Sequence, residues 1–516
     1  MKIEKLEHEL SGIFAELTAN ENAINDLILD VHPDYRLSAK NLIRYLILRT
    51  HDLRKYHNSL SDLGVSSLRT AEGYVYGNLY NVIRNLNLIK GTPKSIDPEG
   101  EIIGFYDSRK LLKQHSYRLF SKEKGKRFTE IMVTMPDEAA ENKALVKKMV
   151  KFGMQIARIN LGKGDLELWK KMVEMIKTVS EETGKKIKIY MDLAGPKIRT
   201  SPIQIVNSQG ETKNAISIKK GDHIILSKSN GWVPEPLNVT EDLPYKTVKI
   251  GVTLEEIIDD ANIGDAIYFD DGTIQGKVIA KHKDDLELVI EESYKSKIGS
   301  LKGINLPNTQ LSLPSLTEKD KANLPFVCAN ADMLGYSFVR TGSDVNKLYQ
   351  ELDKYKAQDM GVVFKIENRD AFENLPEIIL QGMRRNKIGV MIARGDLAVE
   401  VGFETISEVQ NQILWLCEAA HLPVIWATQV LENLAKKGIP TRAEISDAAM
   451  SAQAECVMLN KGPKIILAIK VLRNILNRRQ KHSFKKKNEL RPLLVARKYV
   501  DKTFEAHNKA AAIESD

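Results

Sequence analysis

The sequence predicts an α/β protein built on a (β/α)8 TIM barrel, with a small β-barrel lid domain inserted into it and an all-helical region ahead of it. Three observations carry this. After residue 127, eight short apolar runs rich in β-branched residues recur at intervals that suit helical crossovers. One interval is far too long for a crossover and is filled with strand-like alternation. Before these runs, residues 5–90 show almost only helical spacing.

In chain order, the first stretch places Leu42, Ile43, Leu46, Ile47 and Leu53 at helical periods, so residues 1–120 are expected to form a helical domain that the barrel itself does not call for. GTPKSIDPEG (91–100) and the charged SKEKGK (121–126) put the boundary in this region. The eight runs are EIMVTM (130–135), QIARIN (155–160), KIYMDL (188–193), MLGYSFV (333–339), GVVFKIE (361–367), IGVMIAR (388–394), PVIWATQ (423–429) and CVMLN (456–460). Near-continuous apolar runs mark parallel strands covered on both faces, and eight can close into a barrel. A doubly wound open sheet is the alternative. Strands one to three are assigned to residues 127–202 and strands four to eight to 301–476. Between them, residues 203–300 carry SIKKGDHIILS and DAIYFDDGTIQGKVIA, the pattern of an inserted small β domain. Inserted after the third strand, it would hang over the face where barrels carry their sites, as a lid. Residues 477–516 form a tail opening on RRQKHSFKKK, either solvated surface or a contact for an anionic partner.

Composition narrows the class. Of 516 residues, 43% are hydrophobic and 28% charged, as in soluble globular proteins of more than one domain. The net charge of +8 comes from 76 basic and 68 acidic residues interspersed, which implies mild attraction for anions and no nucleic-acid partner. Cys328, Cys417 and Cys456 form no CxxC pair and fit structural thiols in a reducing cytoplasm. The opening MKIEKLEHELSG has no apolar signal core and no run of apolar residues is long enough to span a bilayer, so a cytoplasmic location without membrane contact is expected. Neither a GxxxxGK[ST] segment nor a GxGxxG turn occurs, so P-loop and Rossmann sites are not supported.

Chemistry is sought at strand ends. In VVFKIEN, Lys365 and Glu367 lie two residues apart and share one face, while Phe364 and Ile366 take the other. The next run ends in IARGDLAVE, where Asp396 follows Gly395 at a strand-to-helix turn. Two carboxylates on neighbouring strand ends suit a hard divalent cation completed by substrate oxygens. The plain alternatives are a buried ion pair and an ordinary helix cap. Backbone N–H groups of Arg394, Gly395 and Asp396 could meet a substrate carboxylate. Arg158 in ARIN and Arg199 in GPKIRT add guanidinium groups suited to phosphate, and together the set outlines phosphoryl transfer.

Residues 127 to about 475 resemble pyruvate kinase, through ARIN, MDLAGPKIRT, DDGTI, LKGINLP, LPSLTEKD, SFVR with SDV, KIEN, ARGDLAVE, ATQVLE, PTRAEISD and VML in collinear order. The resemblance implies transfer of a phosphoryl group from phosphoenolpyruvate to ADP, giving pyruvate and ATP. It implies that Glu367 and Asp396 bind magnesium or manganese, that Lys365 stabilises the phosphoryl group in flight, and that Thr428 sits near the enolate carbon to be protonated. Arg158, Asn160 and Arg199 would line the phosphate region, Lys302 and Asp271 would come from the lid or its edge, and Gly395 would contribute to substrate binding.

The chain also departs from the family. RINLGKG stands for RLNFSHG, putting Gly162 and Lys163 where a serine and a histidine serve the nucleotide. LAGPKIR stands for TKGPEIR, so Leu193 replaces a potassium-binding threonine and Lys197 a glutamate, as in members resembling potassium-independent enzymes; potassium is therefore not expected to be required. TMPDEAA replaces TIGPAS, and LNKG places Asn460 and Lys461 where LSGE is usual. The family's carboxyl-terminal effector domain finds no counterpart after residue 475, so activation through it is not expected. The leading SAKNLIRYLILRTHDLRKYHNSLSDLGVSSL resembles a bacterial branch of pyruvate kinase-like proteins; its expected role is interaction, including homo-oligomer contacts, with His51 and Asp52 as a packed or solvated pair. Two further functions stay open: a magnesium-dependent phosphoenolpyruvate enzyme with another acceptor, and a binding or regulatory barrel without catalysis.

Overall fold

The computed structural model describes residues 2–93, 102–120, 129–203, 205–206, 212–228, 247–482 and 492–514. Most of the two linker segments proposed as a boundary, and residues 483–487 of the basic cluster, lie outside these described residues.

All eight apolar runs become strands: Glu130–Thr134, Ile156–Asn160, Lys188–Asp192, Met333–Tyr336, Gly361–Ile366, Ile388–Ala393, Val424–Ala427 and Cys456–Leu459. Each pairs in parallel with its chain neighbour, and the first closes on the eighth through Met132↔Met458, so the sheet is a barrel and not the open alternative. Alternation divides the side chains. Met132, Ile156, Tyr190, Met333, Val363, Met391, Ile425 and Met458 fill the interior, while Val133, Ala157, Val362, Phe364 and Val390 face outward into the helical layer.

The amino-terminal helices are built into this layer. Ile3–Ala19, Arg36–Leu48 and Val75–Ile89 bury Leu10, Leu46 and Leu79 in the same apolar core as the outward barrel residues. Where they meet the barrel, polar groups are matched: Asn41 Nδ2 donates to Glu72 O (2.7 Å) and Ala419 O (2.8 Å). His421 Nε2 donates to Gly73 O (2.7 Å), leaving Nδ1 to accept from Ser38 Oγ (3.0 Å). The helix Phe105–Leu119 ends beneath the barrel, where Leu119 and Phe120 join its interior core. A Cβ at Gly389 would stand 2.5 Å from Leu119 Cδ2, and one at Gly361 2.8 Å from Cδ1, so glycine is what lets this cork seat. The carboxyl-terminal helix Leu494–Glu514 returns onto Arg36–Leu48. The helical region that the barrel did not seem to call for is thus part of its packing. His51 pairs with Glu16 (2.9 Å) and Asp52 with Arg54 (2.6 Å), as expected of packed or solvated groups.

The insert leaves the barrel after the third strand. Its six-stranded sheet runs Ile304–Asn305, Ala266–Phe269, Ile274–Lys281, Asp285–Ser293, His223–Ser227, Thr247–Gly251 in space. Period-two burial puts Ile267, Phe269, Leu286 and Leu288 into a core separate from the barrel's. Closure comes from the incoming chain: Arg199 bridges to Gly303 at one edge and Thr200 to Val252 at the other. No helix among the described residues is long and apolar enough to cross a membrane.

Candidate functional site

Period two along the fifth strand turns Lys365 inward, as Val363 is, and continues to Glu367 just past the strand end. Lys365 Nζ lies 3.0 Å from Glu367 Oε1 and 3.7 Å from Asp192 Oδ1, and donates to Ser337 Oγ at 2.8 Å. Asp192 ends the third strand and is buried. It accepts from Arg158 Nε (2.6 Å) and from Tyr190 Oη (2.6 Å), while Arg158 also donates to Thr134 Oγ1 (2.8 Å) on the first strand. Glu367 Oε2 accepts from the N–H of Phe338 (2.8 Å), which takes a left-handed φ of 53° just after the fourth strand. The helix Arg394–Val401 follows the sixth strand and carries Asp396, whose two oxygens accept from Lys197 Nζ at 2.8 and 3.0 Å.

Burial dominates the electrostatics, and the charges answer it. Burial alone would raise the proton affinity of Asp192; Arg158 and Lys365 overcome it and hold the carboxyl below its usual range. For Lys365 burial favours the neutral amine, yet Asp192 and Glu367 keep it a firm cation. Glu367 goes the other way. Burial raises its pKa, Lys365 opposes this, and the nearby charge of Asp396 adds to the rise. Three cations, Arg158, Lys365 and Lys197, thus face three carboxylates, Asp192, Glu367 and Asp396. The set is neutral as it stands, so a divalent ion would give it excess positive charge.

The carboxylates fit such an ion. Glu367 and Asp396 are oxygen donors near enough for the charge of Asp396 to raise the proton affinity of Glu367, the donor chemistry a hard cation takes, with Lys365 and Lys197 now on them. No cluster of three or more His, Cys, Asp or Glu side chains placed for a metal occurs among the described residues.

Thr428 follows the seventh strand with φ of 65°, and its Oγ1 is buried with no hydrogen-bond partner among the described residues. A Cβ at Gly395 would lie 3.9 Å from that oxygen, so the glycine keeps the space beside it open.

Other expected residues stand apart from this set. Asn160 Oδ1 caps its own turn by accepting from Gly162 N at 2.9 Å. Arg199 donates to Leu301 O (3.0 Å) at the lid hinge: the turn after Gly195 carries it away from the strand. Lys302 pairs with Asp270 (3.1 Å), which Lys295 also reaches; Asp271, expected with Lys302 from the lid or its edge, is exposed. Asp192 and Ser337 were not singled out from sequence, although an aspartate closing a strand two residues after inward Tyr190 is a legible signal. Two departures from the expected motifs turn out to be partners: Lys461 Nζ donates to Asp137 Oδ1 (2.7 Å) across the seam between strands eight and one.

A family model described as pyruvate kinase, barrel domain, matches residues 126–463. The chain is 33% identical over 325 residues to a pyruvate kinase of Geobacillus stearothermophilus, covering 63% of this chain and 51% of that one. It is 31% identical over 335 residues to one from Dictyostelium discoideum, covering 64% and 61%. It thus spans about half the length of the curated relatives it matches, from 51 to 61% in these two. A crystal structure of a Cryptosporidium parvum pyruvate kinase superposes with a TM-score of 0.60 at 24% identity, covering 72% of this chain and 71% of that one, a likeness of fold.

Proposed function

We propose, for a chain that belongs to the pyruvate kinase family, that its barrel moves a phosphoryl group from phosphoenolpyruvate to ADP. The P–O bond to the enol oxygen breaks, a P–O bond to the ADP terminal oxygen forms, and the enolate carbon takes up a proton to give pyruvate. The observation that carries the reading is Lys365, buried and held cationic between Asp192, Glu367 and Ser337. A fixed ammonium in a water-poor site stabilises charge developing on the transferring group without reorganisation.

Glu367 and Asp396 would hold magnesium or manganese, which supplies charge neutralisation to phosphoryl and enolate oxygens. Arg158, gripped by Asp192 and Thr134, presents a guanidinium beside them to phosphate. The Thr428 hydroxyl, buried beside Gly395 and without a partner among the described residues, would deliver the proton. Lys197 puts an ammonium 2.8 Å from Asp396 and would serve in place of potassium. Lys302 would serve from the lid's edge, while Asn160 and Arg199 would reach phosphate only after a change of partner.

The test is pyruvate formation from phosphoenolpyruvate, ADP and magnesium without potassium, with Lys365→Ala beside the intact protein. Turnover abolished by the substitution supports the reading. Absence of turnover in the intact protein, with potassium also tried, sinks it and favours another acceptor, for which the altered Gly162, Lys163, Asp137 and Lys461 rim gives the motive.

A further inference from the structure

The left-handed backbone at the end of the seventh strand calls for a cause. Thr428, Gln429 and Leu431 have φ of 65°, 55° and 50°. A β-branched residue rarely adopts this conformation unless its surroundings impose it, and such outliers gather where a side chain must be aimed.

The surroundings are visible. Arg394, first residue of the helix after strand six, lays its guanidinium over the Trp426 ring, 4.9 Å from the centroid. Its Nε donates to Ala427 O at 2.9 Å, and Nη2 donates to Thr428 O. On its far side it is held by both oxygens of Asp447, one at 2.9 Å from Nη2, and by Gln410 Oε1 at 3.4 Å from Nη1. One planar fork therefore ties consecutive carbonyls of the strand end to a carboxylate on the helix Arg442–Met450. This accounts for a motif that the proposed chemistry leaves idle: Asp447 closes PTRAEISD, yet carries no part of the reaction.

We propose that Arg394 and Asp447 are positioning residues: their fork-and-carboxylate clamp on the carbonyls of Ala427 and Thr428 holds the strand end in its left-handed turn and thereby aims the Thr428 hydroxyl beside Gly395. The consequence for activity rests on the reading of Thr428 as proton donor to the enolate. With Arg394→Lys the cation remains but reaches a single point, so the turn relaxes and the hydroxyl withdraws. Asp447→Asn keeps the arginine and removes only its counter-charge, which preserves the test should the lysine variant fold poorly.

The measurements are exchange of pyruvate methyl protons with deuterium oxide in the presence of magnesium, followed by proton NMR, together with steady-state kinetics. Arg394→Lys is expected to lower both the exchange rate and kcat by about tenfold or more, with KM for phosphoenolpyruvate within about twofold. Thr428→Val should show a similar loss, and combining it with Arg394→Lys should add nothing. Losses that multiply, or wild-type exchange in Arg394→Lys, overturn the proposal. Should the intact protein neither exchange methyl protons nor turn over phosphoenolpyruvate and ADP, the proposed function falls, and a crystal structure of Arg394→Lys decides the clamp separately: Thr428 leaving the left-handed region supports it, and an unchanged turn overturns it.

Discussion

Glu400 stands one helical turn beyond Asp396 and offers a quantitative test of how the lid hinge meets the barrel. Its Oε1 accepts from Asn305 Nδ2 at 3.0 Å, joining the last lid strand to the helix Arg394–Val401. Burial first, and the charges of Asp396 and Asp370 after it, raise its pKa from 4.5 to about 7, with the Asn305 bond acting the other way. A carboxyl whose folded pKa is raised keeps a proton that the unfolded chain releases. Stability is therefore lost as pH rises from about 4.5 to about 7, and stays lost above. The interval of about 2.5 units at 1.36 kcal/mol per unit gives about 3 kcal/mol. Glu400→Gln keeps the acceptor for Asn305 and removes the charge, so it should be more stable than the parent by up to about 3 kcal/mol near pH 8 and nearly equal to it near pH 4. Denaturant unfolding across this pH range, with chelator present, reads the difference. A variant-to-parent gap constant over pH would show that Glu400 does not titrate near neutrality and would refute the reasoning.

His421 gives the opposite slope: burial lowers its pKa from 6.5 to about 4, so its neutral form supports the fold above about pH 6.5 and that support is lost as pH falls toward 4, by up to about 3 kcal/mol. Acid unfolding of His421→Gln should be displaced to lower pH; an unchanged midpoint counts against it. Lys197→Met should make turnover rise several-fold on adding potassium, whereas the parent should not respond; kinetics in potassium against a large inert cation decide it. Gly389→Ala should cost about 1–3 kcal/mol, since its Cβ would meet Leu119 at 2.5 Å, and Leu119→Ala should relieve the cost in the double variant; additive losses in denaturant unfolding would remove the cork from the account.

Which of these features the sequence announced depends on how local their cause is. Strands covered on both faces must be apolar throughout, so all eight were legible as runs, and period two alone placed Lys365 and Glu367 on one inward face. Asp192 carried the same signal through Tyr190 and was passed over because a single charge closing KIYMDL does not stand out from its strand. Arg199 was hard to place for a different reason: beyond the Gly195–Pro196 turn no strand period governs direction, and the chain bends into the lid hinge. The helical period of residues 5–90 declared an apolar face without naming what covers it, and only closure of the barrel brings Leu119 under Gly389 or Lys461 to Asp137.

The same limit bears on the family departures. Judged one at a time, the residues at Asp137 and Lys461 read as two changes at the rim, while Leu193 and Lys197 read as a potassium site replaced by an ammonium. In space the first two are one ion pair, and Lys197 is an ammonium on the carboxylate of Asp396. Substitutions that arrive as partners replace one set of interactions by another, so a rim rebuilt in this way differs from one that has merely lost its contacts. Decay would leave charges buried without partners. At Arg158, Asp192, Lys365 and Glu367 the opposite holds, because every one of these buried charges is met by another, so the desolvation cost of the cluster is answered within the barrel.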